Sequence, residues 1–122
     1  MVGIAPAQSL PLGSVIASLG TFLLAAVFYG LTAHVAARYV LGDVSLEQAL
    51  LVGIAPAAVL VVGIQLFGEG AGLLVSLVLS VVADYLAIDR VYDPGRRWSV
   101  AVTAVHYAVS VLLGSALASF LV

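Results

Sequence analysis

Four mainly apolar stretches, each about as long as a helix needs to cross a bilayer, leave this chain little choice of fold. A hydrocarbon layer of about 30 Å takes about 20 apolar residues at about 1.5 Å each. Such stretches run from about Ser14 to Arg38, Leu46 to Phe67, Ala71 to Tyr92 and Ser99 to Val122. They use most of the 122 residues, so residues 1–122 are read as a single transmembrane domain with no soluble part. The expected fold class is all-α and integral to the membrane, with four transmembrane helices in an up-down-up-down bundle.

Composition supports this reading and removes others. The chain is 64% hydrophobic and 8% charged, against about 25% charged in soluble domains. A nucleic-acid-binding module would need a basic surface, whereas the net charge is −2. With no cysteine, neither a disulfide scaffold nor a thiol-ligated metal is available.

The breaks between the stretches carry helix-end signals. Gly42 suits a C-terminal cap, and Ser45-Leu46-Glu47-Gln48 matches a capping box that starts the second helix near Leu46. Gly68-Glu69-Gly70 and Asp93-Pro94-Gly95 read as short turns, and short connections imply antiparallel neighbours. No basic residue precedes the first stretch, and its apolar run exceeds that of a signal peptide, so it is read as a mature helix. Met1 to Gly13, with Pro6 and Pro11, does not suit a helix interior and is expected to lie along the outer interface.

All four basic residues are arginines, and they fall at one set of ends: Arg38 closes the first stretch, and Arg90, Arg96 and Arg97 flank the turn before the fourth. Basic residues near span ends stay cytoplasmic. Both termini and the Gly68-Glu69-Gly70 turn are then expected outside the cytoplasm, in a multi-pass protein of the cell membrane. Trp98, Tyr39 and Tyr92 fit an aromatic belt at the arginine side. Arg38, Arg90, Arg96, Arg97 and Trp98 are read as interface anchors, and Asp89 and Asp93 as partners of the neighbouring arginines or as solvated charges.

Three ionisable residues lie inside the stretches: His34, Asp84 and His106. Such groups cost about 2.5 to 3.5 kcal/mol on insertion scales and therefore ask for a reason. Helical spacing turns them toward neighbours. The third stretch carries Gly72, Ser76, Ser80 and Asp84, the first Ala26, Gly30, His34 and Arg38, and the fourth Thr103, His106, Ser110, Gly114 and Ala118. Small and polar stripes of this kind let helix backbones approach in lipid. The second stretch is expected to contribute less: Gly53 and Ala57 make a small stripe, Pro56 should kink it, and Gln65 sits near its outer end.

His34, Asp84 and His106 have two readings, interhelical hydrogen-bonding glue or a proton or cation site, since histidine titrates near neutrality. They include metal-ligand types, but single ligands on three helices lack the spacing of a metal motif, and neither a metal nor a cofactor is expected. No nucleophile elbow, His-Glu-x-x-His helix or phosphate loop occurs, so the chain is not expected to be an enzyme. The first functional reading is a non-enzymatic packing or accessory subunit that contacts the lipid bilayer and itself or a larger membrane partner. The alternative is a small oligomeric proton- or cation-linked transporter or channel using Asp84 with His34 and His106.

Val2-Gly3-Ile4-Ala5-Pro6-Ala7 recurs as Val52-Gly53-Ile54-Ala55-Pro56-Ala57, and the same offset pairs His34 with Asp84. An internal duplication would make the first and third helices parallel copies. The chain has no lysine, more Asp and Glu than Arg, and is rich in Val, Ala, Leu and Gly. With the segment Phe28 to Asp43, Ala83-Asp84-Tyr85-Leu86-Ala87-Ile88 and Val105-His106-Tyr107, it resembles a group of small four-span membrane proteins of uncharacterised function from halophilic archaea. That resemblance implies no functional residues. Small multidrug exporters carry a glutamate in their first helix, absent here. Fluoride channels share Ala37-Arg38-Tyr39, but their asparagine and Thr-Phe-Ser-Thr elements are missing.

Overall fold

The computed structural model describes residues 12–68 and 70–121. They form four helices, α1 Leu12–Leu41, α2 Leu46–Phe67, α3 Ala71–Tyr92 and α4 Arg96–Leu121, each long and apolar enough to cross a membrane.

Two helices run further than the sequence suggests. α1 already includes Leu12 and Gly13, and it passes Arg38 to end at Leu41. A charged side chain does not stop a helix, whereas Gly42 does: its φ of 94° lies in the left-handed region, and its N–H donates to the Arg38 carbonyl at 3.2 Å. α4 begins at Arg96 rather than Ser99. Gly95, at φ 99°, accepts from the Ser99 N–H at 2.9 Å, so Arg96, Arg97 and Trp98 make the first turn. At the start of α2 the capping box forms, with the Gln48 N–H donating to Ser45 Oγ at 3.2 Å and the Ser45 N–H to Gln48 Oε1 at 3.3 Å. α3 ends on Asp93, whose left-handed backbone turns its N–H to the Asp89 carbonyl at 3.1 Å.

α1 packs on α2 and α4, and α3 packs on the same two helices. Side-chain pairs fix the registers. Gln65 donates to Ser18 at 3.1 Å at one end of the α1–α2 pair, and Gln48 donates to the Val91 carbonyl at 3.4 Å at the opposite end of the α2–α3 pair.

α2 contributes far more than expected. A Cβ on Gly53 would lie 2.5 Å from the Gly30 nitrogen and 2.6 Å from the Ala26 carbonyl oxygen, so two glycines bring the α1 and α2 backbones together. Gly63 leaves room for the Ser76 side chain, and Gly72 for the Phe67 carbonyl. In lipid, close approach of backbones replaces the hydrophobic force, and glycines supply it without any hydropathy signal. The helix runs without interruption through the buried Pro56.

The α3 stripe is the interior face as read: Gly72, Ser76, Ser80, Asp84 and also Ile88 are buried. On α4, Thr103, His106 and Ser110 are buried, while Ala118 is exposed because the last turns lie beyond the packed region. The α1 stripe holds at Gly30, which is buried against α2, and is rotated beyond it. Tyr29, Thr32, Ala33, Ala36 and Ala37 turn inward, His34 is half-buried and Arg38 exposed. Ala33, Ala36, Ala37, Ala49, Val52, Ile88 and Val102 form the apolar core. Of the repeated hexamer, the second copy lies in α2 and the first lies outside the described residues. The offset-related His34 and Asp84 differ, one half-buried and one fully buried.

Candidate functional site

Among the described residues the one fully buried carboxylate is Asp84, on the buried α3 face. Its Oδ2 lies 2.6 Å from His106 Nδ1, and both side chains are fully buried. On the other side of the ring, His106 Nε2 meets Thr32 Oγ1 at 2.8 Å. Ser110 Oγ donates to the same Thr32 oxygen at 3.1 Å. One chain of polar atoms thus ties α3 to α4 and α4 to α1.

The Thr32 hydroxyl is held from several sides: its Oγ1 sits 3.0 Å from the Phe28 carbonyl and 3.2 Å from that of Tyr29, as is usual for a helical threonine. It accepts from Ser110, and at 2.8 Å it either accepts from a His106 Nε2–H or donates to an unprotonated Nε2, according to the tautomer. The 2.6 Å contact at Nδ1 holds one proton between the imidazole and the carboxyl. A short, charge-assisted pair of this kind is the form in which an acid is tolerated away from water.

A second polar branch runs alongside. Ser80 Oγ donates to the Pro56 carbonyl at 3.2 Å and lies 3.0 Å from the Tyr107 hydroxyl, so Ser80 ties α3 to α2 through the carbonyl of the helix-interior proline and to α4 through Tyr107. The Tyr29 ring stands edge-on to His106 at 5.8 Å and beside Tyr107 at 6.2 Å, filling the space between the branches.

Of the three ionisable residues singled out by sequence, the structure brings Asp84 and His106 together and leaves His34 apart. His34 makes no hydrogen bond to either, and no group of metal-ligand residues converges among the described residues. Thr32 occupies the place expected for His34. Two residues apart on a helix means about 200° of rotation, so with Thr32 turned to α4, His34 faces elsewhere. A rule that seeks ionisable groups overlooks hydroxyls; the available signal was that Tyr29 and Thr32 are the polar side chains in the apolar run Phe22 to Ala33.

The anchors lie at one end. Arg38, Arg90, Arg96, Arg97 and Trp98 are exposed, and Tyr39 beside them is exposed as well. Tyr92 does not join this belt: it continues the Asp84 and Ile88 face, and its hydroxyl is buried. Asp89 is not an arginine partner, because the early start of α4 brings Ser99 Oγ within 2.7 Å of its Oδ1. Among the described residues the one arginine ion pair is Arg38 with Asp43, at 3.9 Å.

The order carboxylate, imidazole, hydroxyl is also that of an acyl-transfer triad. Here the hydroxyl is already engaged by His106 and Ser110, and Thr32 is 1% exposed, whereas a nucleophile must face substrate. The arrangement ties α1, α3 and α4 together.

Residues 12–122 match the model of a family of unknown function, DUF7473. The chain belongs to this family. No curated protein and no solved structure matches it.

Proposed function

We propose that this DUF7473 member is an integral membrane protein with four up-down-up-down spans in one transmembrane domain, and that it acts without catalysis by packing against itself or a larger membrane partner. The observation that supports this is the inverted placement of side chains. Large apolar residues point outward from every helix, with Leu24 76%, Leu66 73%, Leu112 70% and Phe120 90% exposed. The buried positions are mostly glycine, alanine, serine and threonine around one acid–imidazole pair. A water-soluble bundle reverses this order; a bundle solvated by lipid gains from small residues and hydrogen bonds at its helix contacts. The exposed arginines and Trp98 set their end at the cytoplasmic surface of the cell membrane, with both termini outside, and the lysine-free, acid-rich composition fits a halophilic archaeon. Extraction decides the membrane assignment: the protein should stay in the membrane pellet through alkaline carbonate and urea and leave it only with detergent. Release by carbonate would sink the assignment.

A second reading rests on the buried, proton-sharing Asp84 and His106. It takes the pair as the ion site of a small oligomeric proton- or cation-linked transporter, with His34 outside the network. Wild type and Asp84→Asn reconstituted in liposomes distinguish the readings. Proton uptake that is lost in the variant supports transport, and equal fluxes support packing alone.

A further inference from the structure

An open groove of about 500 Å³ lies between α2 and α3 on the outside of the bundle. Ala55 of α2 and Ala83, Leu86 and Ala87 of α3 line it, and Arg90 closes its end near the α3 C-terminus. Positions 83, 86, 87 and 90 have the spacing of one helix face, set about 100° from the buried Asp84 line. Arg90 is exposed and has no charged partner: among the described residues the ion pairs are Arg38 with Asp43 and Asp84 with His106. Asp89 also borders the groove, but its Oδ1 accepts from Ser99 of α4 at 2.7 Å. Glu47, in the first turn of α2, forms no ion pair either. The groove is therefore apolar along its length and ends on a free guanidinium. From Ala83 to Arg90 it runs about 10 Å along α3, which gives a mean cross-section of about 50 Å². A partner helix, about 10 to 12 Å across, needs about twice that area, whereas a hydrocarbon chain fits.

We propose that this groove binds one anionic phospholipid, with its phosphate on the Arg90 guanidinium and its hydrocarbon chain against Ala87, Ala83 and Ala55. The guanidinium fork matches two phosphate oxygens at once, and basic pockets between membrane helices are places where anionic headgroups bind. Arg90 lies two residues before the end of α3, which sets it at headgroup level, while the alanines lie deeper, where the chain runs. The inference rests on the membrane assignment above, and it holds whichever side of the membrane the arginines face.

Native mass spectrometry of the full chain in detergent tests the site by the affinity of the first lipid bound, with phosphatidylglycerol and phosphatidylcholine of identical chains as probes. Wild type should prefer phosphatidylglycerol by about fivefold or more, the worth of one basic residue at an anionic surface. Arg90→Gln should erase that preference, and Ala83→Leu, which fills the groove, should weaken both lipids several-fold. Arg38→Gln removes the same charge from α1, the helix that does not pack on α3, and should keep the preference. Equal affinities in wild type overturn the proposal, as does a preference that survives Arg90→Gln or is lost equally in Arg38→Gln. Binding indifferent to Ala83→Leu overturns it too; if that variant does not fold, wild type and the two arginine variants decide. A protein that resists carbonate extraction yet shows no headgroup preference fails this inference alone, whereas release by carbonate sinks the membrane assignment with it.

Discussion

Thr32 joins the two ends of the polar chain, because its hydroxyl lies within hydrogen-bond distance of both His106 and Ser110. Thr32→Val removes that hydroxyl and leaves two buried polar groups unpaired, whereas Thr32→Ser keeps it. Thermal melts in detergent should show Thr32→Val less stable than Thr32→Ser by about 1 to 3 kcal/mol; equal melting points would show that the hydroxyl does not hold the chain together. Asp84→Asn retains a side-chain oxygen and nitrogen that can each face the imidazole, and loses the charge assistance. Its stability should fall by about 0.6 to 1.7 kcal/mol, the range of interhelical bonds in membranes, and Asp84→Ala should fall further. A melting point for Asp84→Ala equal to that of wild type would remove the pair as a structural element. Half of this site was legible in the sequence: the cost of burying charge singled out Asp84 and His106, and the same rule, blind to uncharged hydroxyls, admitted His34 and passed over Thr32 and Tyr29.

Among the elements, α3 declared its interior face because small and polar side chains recur every fourth residue in an apolar helix. α2 did not, since its decisive contacts are made by glycines, whose role is to be absent as side chains. Gly53 and Gly20 separate these effects. A methyl group at Gly53 meets the α1 backbone at 2.5 to 2.8 Å, while at Gly20 nothing lies within 4 Å. Gly53→Ala should therefore destabilise the bundle by about 1 to 3 kcal/mol through forced separation of α1 and α2. Gly20→Ala should be neutral or stabilising, since alanine is the better helix former by about 1 kcal/mol. Melting of the two variants in the same detergent checks the contrast, and equal effects would mean that the α1–α2 approach is looser than the Gly30–Gly53 contact indicates. Helix ends follow the same logic: Gly42, read as a cap from the sequence, closes α1 through its backbone angle, and Gly95 starts α4 at Arg96, three residues before the expected Ser99.

For the molecule as a whole, the number of helices was legible because about 20 apolar residues between breaks is a length fixed by the bilayer, and no detail of packing enters it. Orientation rests on a different quantity, the four arginines and Trp98 that gather at the end shared by the α1 and α3 C-termini and the α2 and α4 N-termini. The absence of cysteine from the chain makes this directly measurable. Asp43, exposed beside the α1 C-terminus with only a 3.9 Å contact to Arg38, tolerates replacement, and Glu69 falls in the sequence between α2 and α3. With a membrane-impermeant maleimide on intact cells, Glu69→Cys should label and Asp43→Cys should not, the latter reacting only after the membrane is opened. The reverse pattern would place the arginines outside. Labelling of both variants in intact cells would contradict a bundle whose four helices all cross, because successive turns could then lie on one side.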